Sequence, residues 1–238
     1  MPYNARRIIK LDPENDSVCC VGDDFGPERN KYKATVAGRD GFVYGIPNGS
    51  KRITRFDPVS HNTSILGDES RIDFQCIGGV FGRDGCIYSL SYKHDKVLKI
   101  DVVNNTYYQV YNVHSTFYNY YWSEAVLGND GCIYWPPLDD YHTLKFDTET
   151  QTISLIGDNF QTVSRVGDNF GELERKWPNG AVASDGAVYC LPATTYQVLR
   201  IDPFQEEFAT KLKADMEEHP EVLGFLFETN KFGKTLYE

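Results

Sequence analysis

Hydrophobic and polar positions alternate in short runs along most of this chain, and Asp-Gly and Asp-Pro pairs interrupt the runs at regular intervals. Four segments share one arrangement: "RDGFVYGIP" (39–47), "RDGCIYSLS" (83–91), "NDGCIYWPP" (129–137) and "SDGAVYCLP" (184–192). Asp-Gly between two apolar runs predicts a tight hairpin, because both residues accept the positive φ that such a turn needs. The run before it, such as "CIGGVFG" (76–82) or "EAVLG" (124–128), is small and branched, and the run after it is aromatic and β-branched. Both compositions suit strands. The Asp residues of the four pairs are 40, 84, 130 and 185, and each is followed 17 residues later by another: Asp57, Asp101, Asp147 and Asp202. A third strand ends at this second Asp, as in "VLKID" (97–101). A turn and a fourth strand follow, as in "TYYQVY" (106–111). The pattern therefore predicts four strands per unit in up-and-down order.

The first Asp of the second series is Asp12, so residues 6–22 read as strands three and four of a unit that lacks its first two. Near the other end, "VLGFLF" (222–227) reads as a first strand and "KTLYE" (234–238) as a second, with Tyr237 in the place of Tyr44, Tyr88, Tyr134 and Tyr189. Pro47, Pro137 and Pro192 each follow that Tyr by three residues, and counting three past Tyr237 across the two ends lands on Pro2. The spacings between successive second-series Asp residues, from Asp12 on, are 45, 44, 46 and 55. Such a period and strand count fit propeller blades. The expected fold is all-β: a single domain over 1–238, a five-bladed β-propeller of four-stranded antiparallel blades, closed by a split blade shared between the N- and C-termini. Closure removes the sheet edges that invite aggregation. The alternative is a fragment of a longer ring, or an open array that dimerises.

The pattern D-G-x-(I/V)-Y, with its fixed offset to (I/F)-D-(P/T), covers nearly the whole chain and resembles the β-propeller superfamily. It looks most like uncharacterised propeller-repeat proteins of protists and algae. It is more loosely similar to kelch, NHL and virginiamycin-B-lyase-type repeats. The kelch double glycine is met only by Gly78-Gly79, and the WD dipeptide is absent. The resemblance implies a fold and carries no catalytic residue across; fold alone does not give function.

Lys plus Arg number 24 and Asp plus Glu 34, a net charge of −10. That balance argues against nucleic acid or an anionic membrane as the main partner. No apolar run reaches the length of a membrane span, and the start lacks a signal-peptide pattern. The six cysteines show no metal-type spacing. Cys86 and Cys132 share a strand position and read as buried thiols, while the adjacent Cys19 and Cys20 are expected on opposite faces of a strand. A cytoplasmic or other reducing intracellular compartment is expected.

In a propeller the Asp-Gly and Asp-Pro turns share one face, and the connections between strands two and three and between blades share the other. The second face carries "GDDFGPERNKY" (22–32), "YKHDK" (92–96), "NVHSTFYNYYW" (112–122), "LDDYH" (138–142) and 157–176, which differ in length and chemistry. Binding residues favour variable loops on a rigid scaffold, so this is the expected working face. Its candidate binding residues are Tyr32, Tyr92, His94, Tyr121, Trp122, Tyr141, Asn159, Phe160, Arg165 and Trp177. The extra residues of the longest unit, with "GDNF" at 157 and again at 167, are expected to form a protruding arm. Tyr32, Cys76, Trp122 and Trp177 lie eight residues before each Asp-Gly. Aromatic rings there can stack on a ligand or wedge between blades as core.

The repeated Asp residues read as turn caps. A cation two places before the second Asp (Lys10, Arg55, Lys99, Lys145, Arg200) reads as a repeated structural ion pair. Paired-carboxylate catalysis needs two acids about 5–10 Å apart. Glu124 is the only acid within a clear first-strand motif, so it is a lone catalytic candidate, with Glu221 or a loop Asp as its remaining possible partners. His94, His114, His142 and His219 show no ligand spacing, and neither metal nor cofactor is expected. Two functions follow: a non-catalytic scaffold for a protein partner, or a carbohydrate or small-molecule binder or glycoside-active enzyme. The segment "EEFATKLKADMEEHP" (206–220) reads as a fourth strand followed by a helical turn.

Overall fold

The structure, a computed structural model, describes residues 1–67, 75–91, 96–112, 122–138, 142–157, 163–166, 176–195 and 197–203, with 111–112 and 163–166 as backbone. Every element in it is a strand. The first two, β1 (Ile8–Asp12) and β2 (Ser17–Val21), form an antiparallel hairpin. Four four-stranded antiparallel sheets follow. Blade I holds β3 (Tyr32–Ala37), β4 (Val43–Pro47), β5 (Ile53–Phe56) and β6 (Thr63–Leu66). Blade II holds β7 (Val80–Phe81), β8 (Cys86–Ser91), β9 (Lys96–Asp101) and β10 (Thr106–Asn112). Blade III holds β11 (Val126–Leu127), β12 (Ile133–Trp135), β13 (Thr143–Asp147) and β14 (Thr152–Ile156). Blade IV holds β15 (Val163–Val166), β16 (Asn179–Val182), β17 (Val188–Leu191) and β18 (Val198–Ile201). The inner strands β3, β7, β11 and β16 neighbour one another in that order. This is an all-β propeller arrangement.

Strand alternation sends side chains to both faces of each blade, so the apolar layers lie between blades. Tyr44, Ile46 and Ile53 of blade I meet Ile87, Leu98 and Ile100 of blade II. Tyr88, Leu90 and Val97 meet Ile133, Trp135 and Phe146 of blade III. Tyr134 and Val126 meet Val188, Leu199 and Ile201 of blade IV. A smaller cluster of Ile8, Val21 and Phe56 seats the hairpin on blade I.

Two expectations need correction. The described residues hold four complete blades and one hairpin, not five blades. The strands assigned to complete the hairpin, 222–227 and 234–238, lie outside the described residues. The insertion is not wholly a protruding arm: its centre is β15, which pairs with β18 as the outer strand of blade IV, Val163 opposite Ile201 and Val166 opposite Val198. Blade IV therefore runs β15-β18-β17-β16, not in up-and-down order. An outer edge offers backbone groups to any strand that reaches it, and here the segment before the blade fills it. Residues 206–220, assigned to that place by register, lie outside the described residues.

The Asp-Gly turns are identical in four copies. Gly41, Gly85, Gly131 and Gly186 have φ of 85°, 82°, 90° and 86°, the left-handed region that glycine occupies freely. The Asp Oδ1 accepts the backbone N–H two residues on: Phe42 to Asp40 at 3.2 Å, Cys86 to Asp84 at 3.2 Å, Cys132 to Asp130 at 3.1 Å, Ala187 to Asp185 at 3.1 Å. Its Oδ2 accepts the phenol four residues on: Tyr44 at 2.5 Å, Tyr88 at 2.8 Å, Tyr134 at 2.6 Å, Tyr189 at 2.8 Å. The third-strand cation, cross-strand from that Tyr, reaches the same carboxylate: Lys99 to Asp84 at 2.8 Å, Lys145 to Asp130 and Arg200 to Asp185 at 3.8 Å. Burial pushes the Tyr44 and Tyr88 phenols up, and the adjoining carboxylates add to it. The second-series Asp57, Asp101 and Asp147 cap their own turns through the N–H groups of Val59, Val103 and Glu149.

Candidate functional site

The opposite face gathers the connections between second and third strands and those from blade to blade. Tyr92, His94, Tyr121, Tyr141, Asn159 and Phe160 lie outside the described residues, as do His114, His219 and Glu221. Arg165 is on β15, opposite Leu199.

Tyr32, Trp122 and Trp177 are 5%, 2% and 1% exposed. The Trp122 Nε1–H donates to the carbonyl of His142 at 3.2 Å, and the Trp177 Nε1–H to that of Gln197 at 2.7 Å. The Tyr32 hydroxyl lies 2.5 Å from Thr54 Oγ1. Each ring ties the entrance of a first strand to the start of the third strand in its own blade, and a buried indole or phenol keeps a polar partner as it should. Cys76, also buried, holds this place in blade II. The rings are part of the wall.

Glu124 is exposed at the inner edge of blade III. Its backbone N–H donates to the carbonyl of Pro178 at 3.4 Å, and its Cγ would lie 3.1 Å from a Cβ built on Gly78. It stands where blades II, III and IV meet. Ala34, Gly78 and Asn179 fill its place in the other blades, so the repeat supplies no second acid. Among the described residues no group of three or more His, Cys, Asp or Glu could hold a metal ion. No helix among them is long and apolar enough to cross a membrane.

Two features of this face were not read from the sequence. A cleft of about 480 Å³ opens between the approach to β3 and the β4–β5 connection, lined by Phe25, Glu28, Lys31, Tyr32, Lys51 and Arg52 among others. Phe25 meets Tyr32 edge-on, with ring centroids 5.7 Å apart. Lys31 is buried, and its Nζ donates to the carbonyls of Gly26, at 3.3 Å, and Glu28. The run of cations in 29–33 and 51–52, within an acidic chain, was the available signal. The second feature, among the described residues, is a set of three buried polar atoms without a hydrogen-bond partner: Ser91 Oγ, Trp135 Nε1 and Thr143 Oγ1. Ser91 closes β8, Trp135 closes β12 and Thr143 opens β13, so all three lie at strand ends on this face of blades II and III. Such groups are few in native folds and cost about 1–3 kcal/mol each. They adjoin the segments that carry Tyr92, His94 and Tyr141.

No protein-family model matches the chain, and no curated protein does. Among solved structures, the chain is similar to virginiamycin B lyase from Staphylococcus aureus, at 15% identity and a TM-score of 0.62, over 84% of this chain and 61% of that one. It is also similar to a streptogramin B lyase (13% identity, TM-score 0.56, 84% and 73% of the chains) and to an auxiliary nutrient binding protein from Bacteroides ovatus (15%, 0.52, 84% and 56%). The chain thus spans about three fifths of the length of the Staphylococcus aureus lyase. At these identities the likeness shows the fold: this chain has the β-propeller arrangement of those proteins.

Proposed function

We propose that this protein is a non-catalytic β-propeller scaffold that holds a protein partner on its loop face, over blades II and III. The observation that carries the reading is the difference between the two faces. The Asp-Gly face repeats one set of carboxylate bonds four times, with each Asp Oδ1 and Oδ2 engaged. The other face carries, in the sequence, connections of unequal length and chemistry, and, among the described residues, three buried polar atoms without partners at strand ends of blades II and III. Variable segments on a uniform frame are where binding residues concentrate. The reading takes the chain as one propeller domain. It places the protein in a reducing compartment, supported by six free thiols, with no role for cofactor, nucleic acid or membrane insertion. The D-G-x-(I/V)-Y repeat supports kinship with propeller-repeat proteins of protists and algae.

Affinity capture from an extract of the source organism tests it. The pairs Tyr92→Ala/His94→Ala and Asn159→Ala/Phe160→Ala should lose the partner while the circular dichroism and melting stay unchanged. Asn129→Ala and Glu149→Ala, on the Asp-Gly face, should keep it. The opposite pattern would sink the reading.

The cleft beside Tyr32 and the exposed Glu124 favour a second reading, a carbohydrate or small-molecule binder or glycoside-active enzyme. A glycan array and a panel of chromogenic glycosides, each repeated with Glu124→Gln and Arg52→Ala, decide between the two. A signal that disappears in either variant selects the second.

A further inference from the structure

The cleft beside Tyr32 is a positive site on an acidic chain. The net charge is −10, yet Lys31, Lys51 and Arg52 line this cleft against one acid, Glu28. Lys31 is 4% exposed, and its Nζ donates only to the neutral carbonyls of Gly26 and Glu28. Among the described residues, no carboxylate lies within ion-pair distance of Lys31, Lys51 or Arg52. A buried charge is ordinarily paired; this one meets backbone dipoles alone. Glu28 turns back over Gly26, where its carboxylate adds to the hold of Asp24 on the Arg6 guanidinium. The three cations of the cleft therefore outweigh its acid.

The walls of the cleft are tied together by backbone. The N–H groups of Asn48 and Ser50 donate to the Lys31 carbonyl at 2.9 and 3.0 Å, and that of Gly49 to the Asn30 carbonyl at 2.5 Å. A Cβ on Gly49 would stand 2.8 Å from the Asn30 oxygen, so this approach needs glycine. The Lys31 N–H in turn donates to the Tyr3 carbonyl at 2.9 Å. Lys31 therefore joins the segment of Tyr3, the approach to β3 and the β4–β5 connection. Ser50 Oγ accepts nothing further from the cations: it donates to the Arg52 carbonyl at 3.2 Å and so fixes the backbone from which the guanidinium extends. Next to the cations stand two rings, Phe25 edge-on to Tyr32, with Tyr32 held by Thr54. A volume of about 480 Å³ lies within the range of small-ligand sites, and a wall fixed in advance lowers the ordering cost of binding.

We infer that this cleft binds a small ligand that carries one oxyanion group, a phosphate or a carboxylate, on an apolar body. The inference rests on the small-molecule reading above and names the chemistry of the ligand; the partner face over blades II and III is separate from it. Arg52 offers a planar fork and Lys51 a mobile point charge, and both match the oxygens of either group. Neighbouring cations repel one another, and an oxyanion between them relieves that repulsion. Lys31 adds a charge fixed in place by its two carbonyls. Phe25 and Tyr32 match the apolar body. A polyanion such as nucleic acid would run on to a surface where acids outnumber bases, 34 to 24. A small ligand feels mainly the charges within a Debye length, about 8 Å at physiological ionic strength.

Titration calorimetry on the full chain tests this, with phenyl phosphate, benzoate, phenyl β-glucoside and phenol as probes. One of the two anions should bind about tenfold or more tightly than phenol and the glucoside, since a hydrogen bond from a cation to an oxyanion contributes about that factor. The tighter anion names the oxyanion. Arg52→Gln and Lys51→Gln should each weaken it about tenfold, and the double variant should abolish it, with circular dichroism and melting unchanged. Arg39→Gln, which removes a cation from the Asp-Gly face, should leave the affinity as it was. Glu28→Gln should tighten it several-fold, and added salt should weaken it. Equal affinity for anion and phenol, or an anion affinity unchanged in the double variant, overturns the inference. Tighter binding of the glucoside than of either anion overturns it too, while sparing the small-molecule reading. If none of the four probes binds, both fall.

Discussion

Lys99 Nζ lies 2.8 Å from the Oδ2 of Asp84, with the Tyr88 phenol donating to the same oxygen at 2.8 Å. Burial alone would lower the Lys99 pKa, but Asp84 and Tyr88 outweigh it and raise it. The three groups act as a clamp across the hairpin. Lys99→Met leaves a part-buried carboxylate without its cation and should cost about 1–3 kcal/mol in urea unfolding. Arg200→Met removes the more exposed pair with Asp185, 3.8 Å apart, together with contacts of 3.1 Å to Asp202 and to the Tyr189 hydroxyl, and should cost less because the group is more exposed. Equal losses would show that the burial of the Lys99 contact adds nothing.

Five carboxylates of the repeat, Asp57, Asp84, Asp101, Asp147 and Asp185, sit below their ordinary pKa. For Asp57 the largest cause is the Ser60 hydroxyl, for Asp101 the Asn104 N–H, and for Asp185 the Tyr189 phenol. For Asp84 and Asp147 burial pushes upward, and the hydrogen bonds together overcome it. Each group binds its proton more weakly folded than unfolded. Its stabilisation is therefore complete above the ordinary carboxylate value near 3.9, and is lost as pH falls through the lower folded values. The melting temperature should hold from pH 7 to about 5 and drop below about 4. Asp84→Asn should melt lower at pH 7 and lose less on acidification. A parent protein that melts higher at pH 3 than at pH 5 would contradict the sign.

The cysteines divide into two classes. Burial pushes the Cys76, Cys132 and Cys190 thiols up to about 12 and that of Cys86 up to about 11. Cys19 and Cys20 are both exposed on β2. Since the thiolate is the reactive form, a maleimide at neutral pH should modify Cys19 and Cys20 in the native protein. The other four should react only after unfolding, as peptide mass spectrometry would read. Rapid labelling of Cys76 or Cys190 would mean that the layers between blades open readily.

Blade boundaries were legible because they rest on local chemistry. An Asp-Gly turn needs a positive φ, and the constant offset between the two Asp series is the length of two strands and their connection. The turn-capping role expected for the Asp series follows from the same regularity, as does the ion pair expected for the cation series at Lys99, Lys145 and Arg200, whereas Lys10 lies against His61 and Arg55 against Ser64 and Phe42. The exchange in blade IV was not legible. Register assigns its outer place to the segment after Asp202, yet a sheet edge binds by backbone, and Val163–Val166 fills it with no sequence mark of doing so.

The candidate site divides in the same way. The uneven loops identified the face, but whether Tyr32, Trp122 and Trp177 look outward or into the wall depends on neighbours brought from elsewhere in the chain: Thr54, and the carbonyls of His142 and Gln197. By itself the sequence determined the β-blade repeat and its turns, because these depend on periodicity and on nearby residues. Only the tertiary structure decided the burial of the aromatic rings, the cleft at Lys51 and Arg52, and, among the described residues, the orphaned polar atoms at Ser91, Trp135 and Thr143. Those depend on how blades pack against one another, and packing joins residues that no local pattern connects.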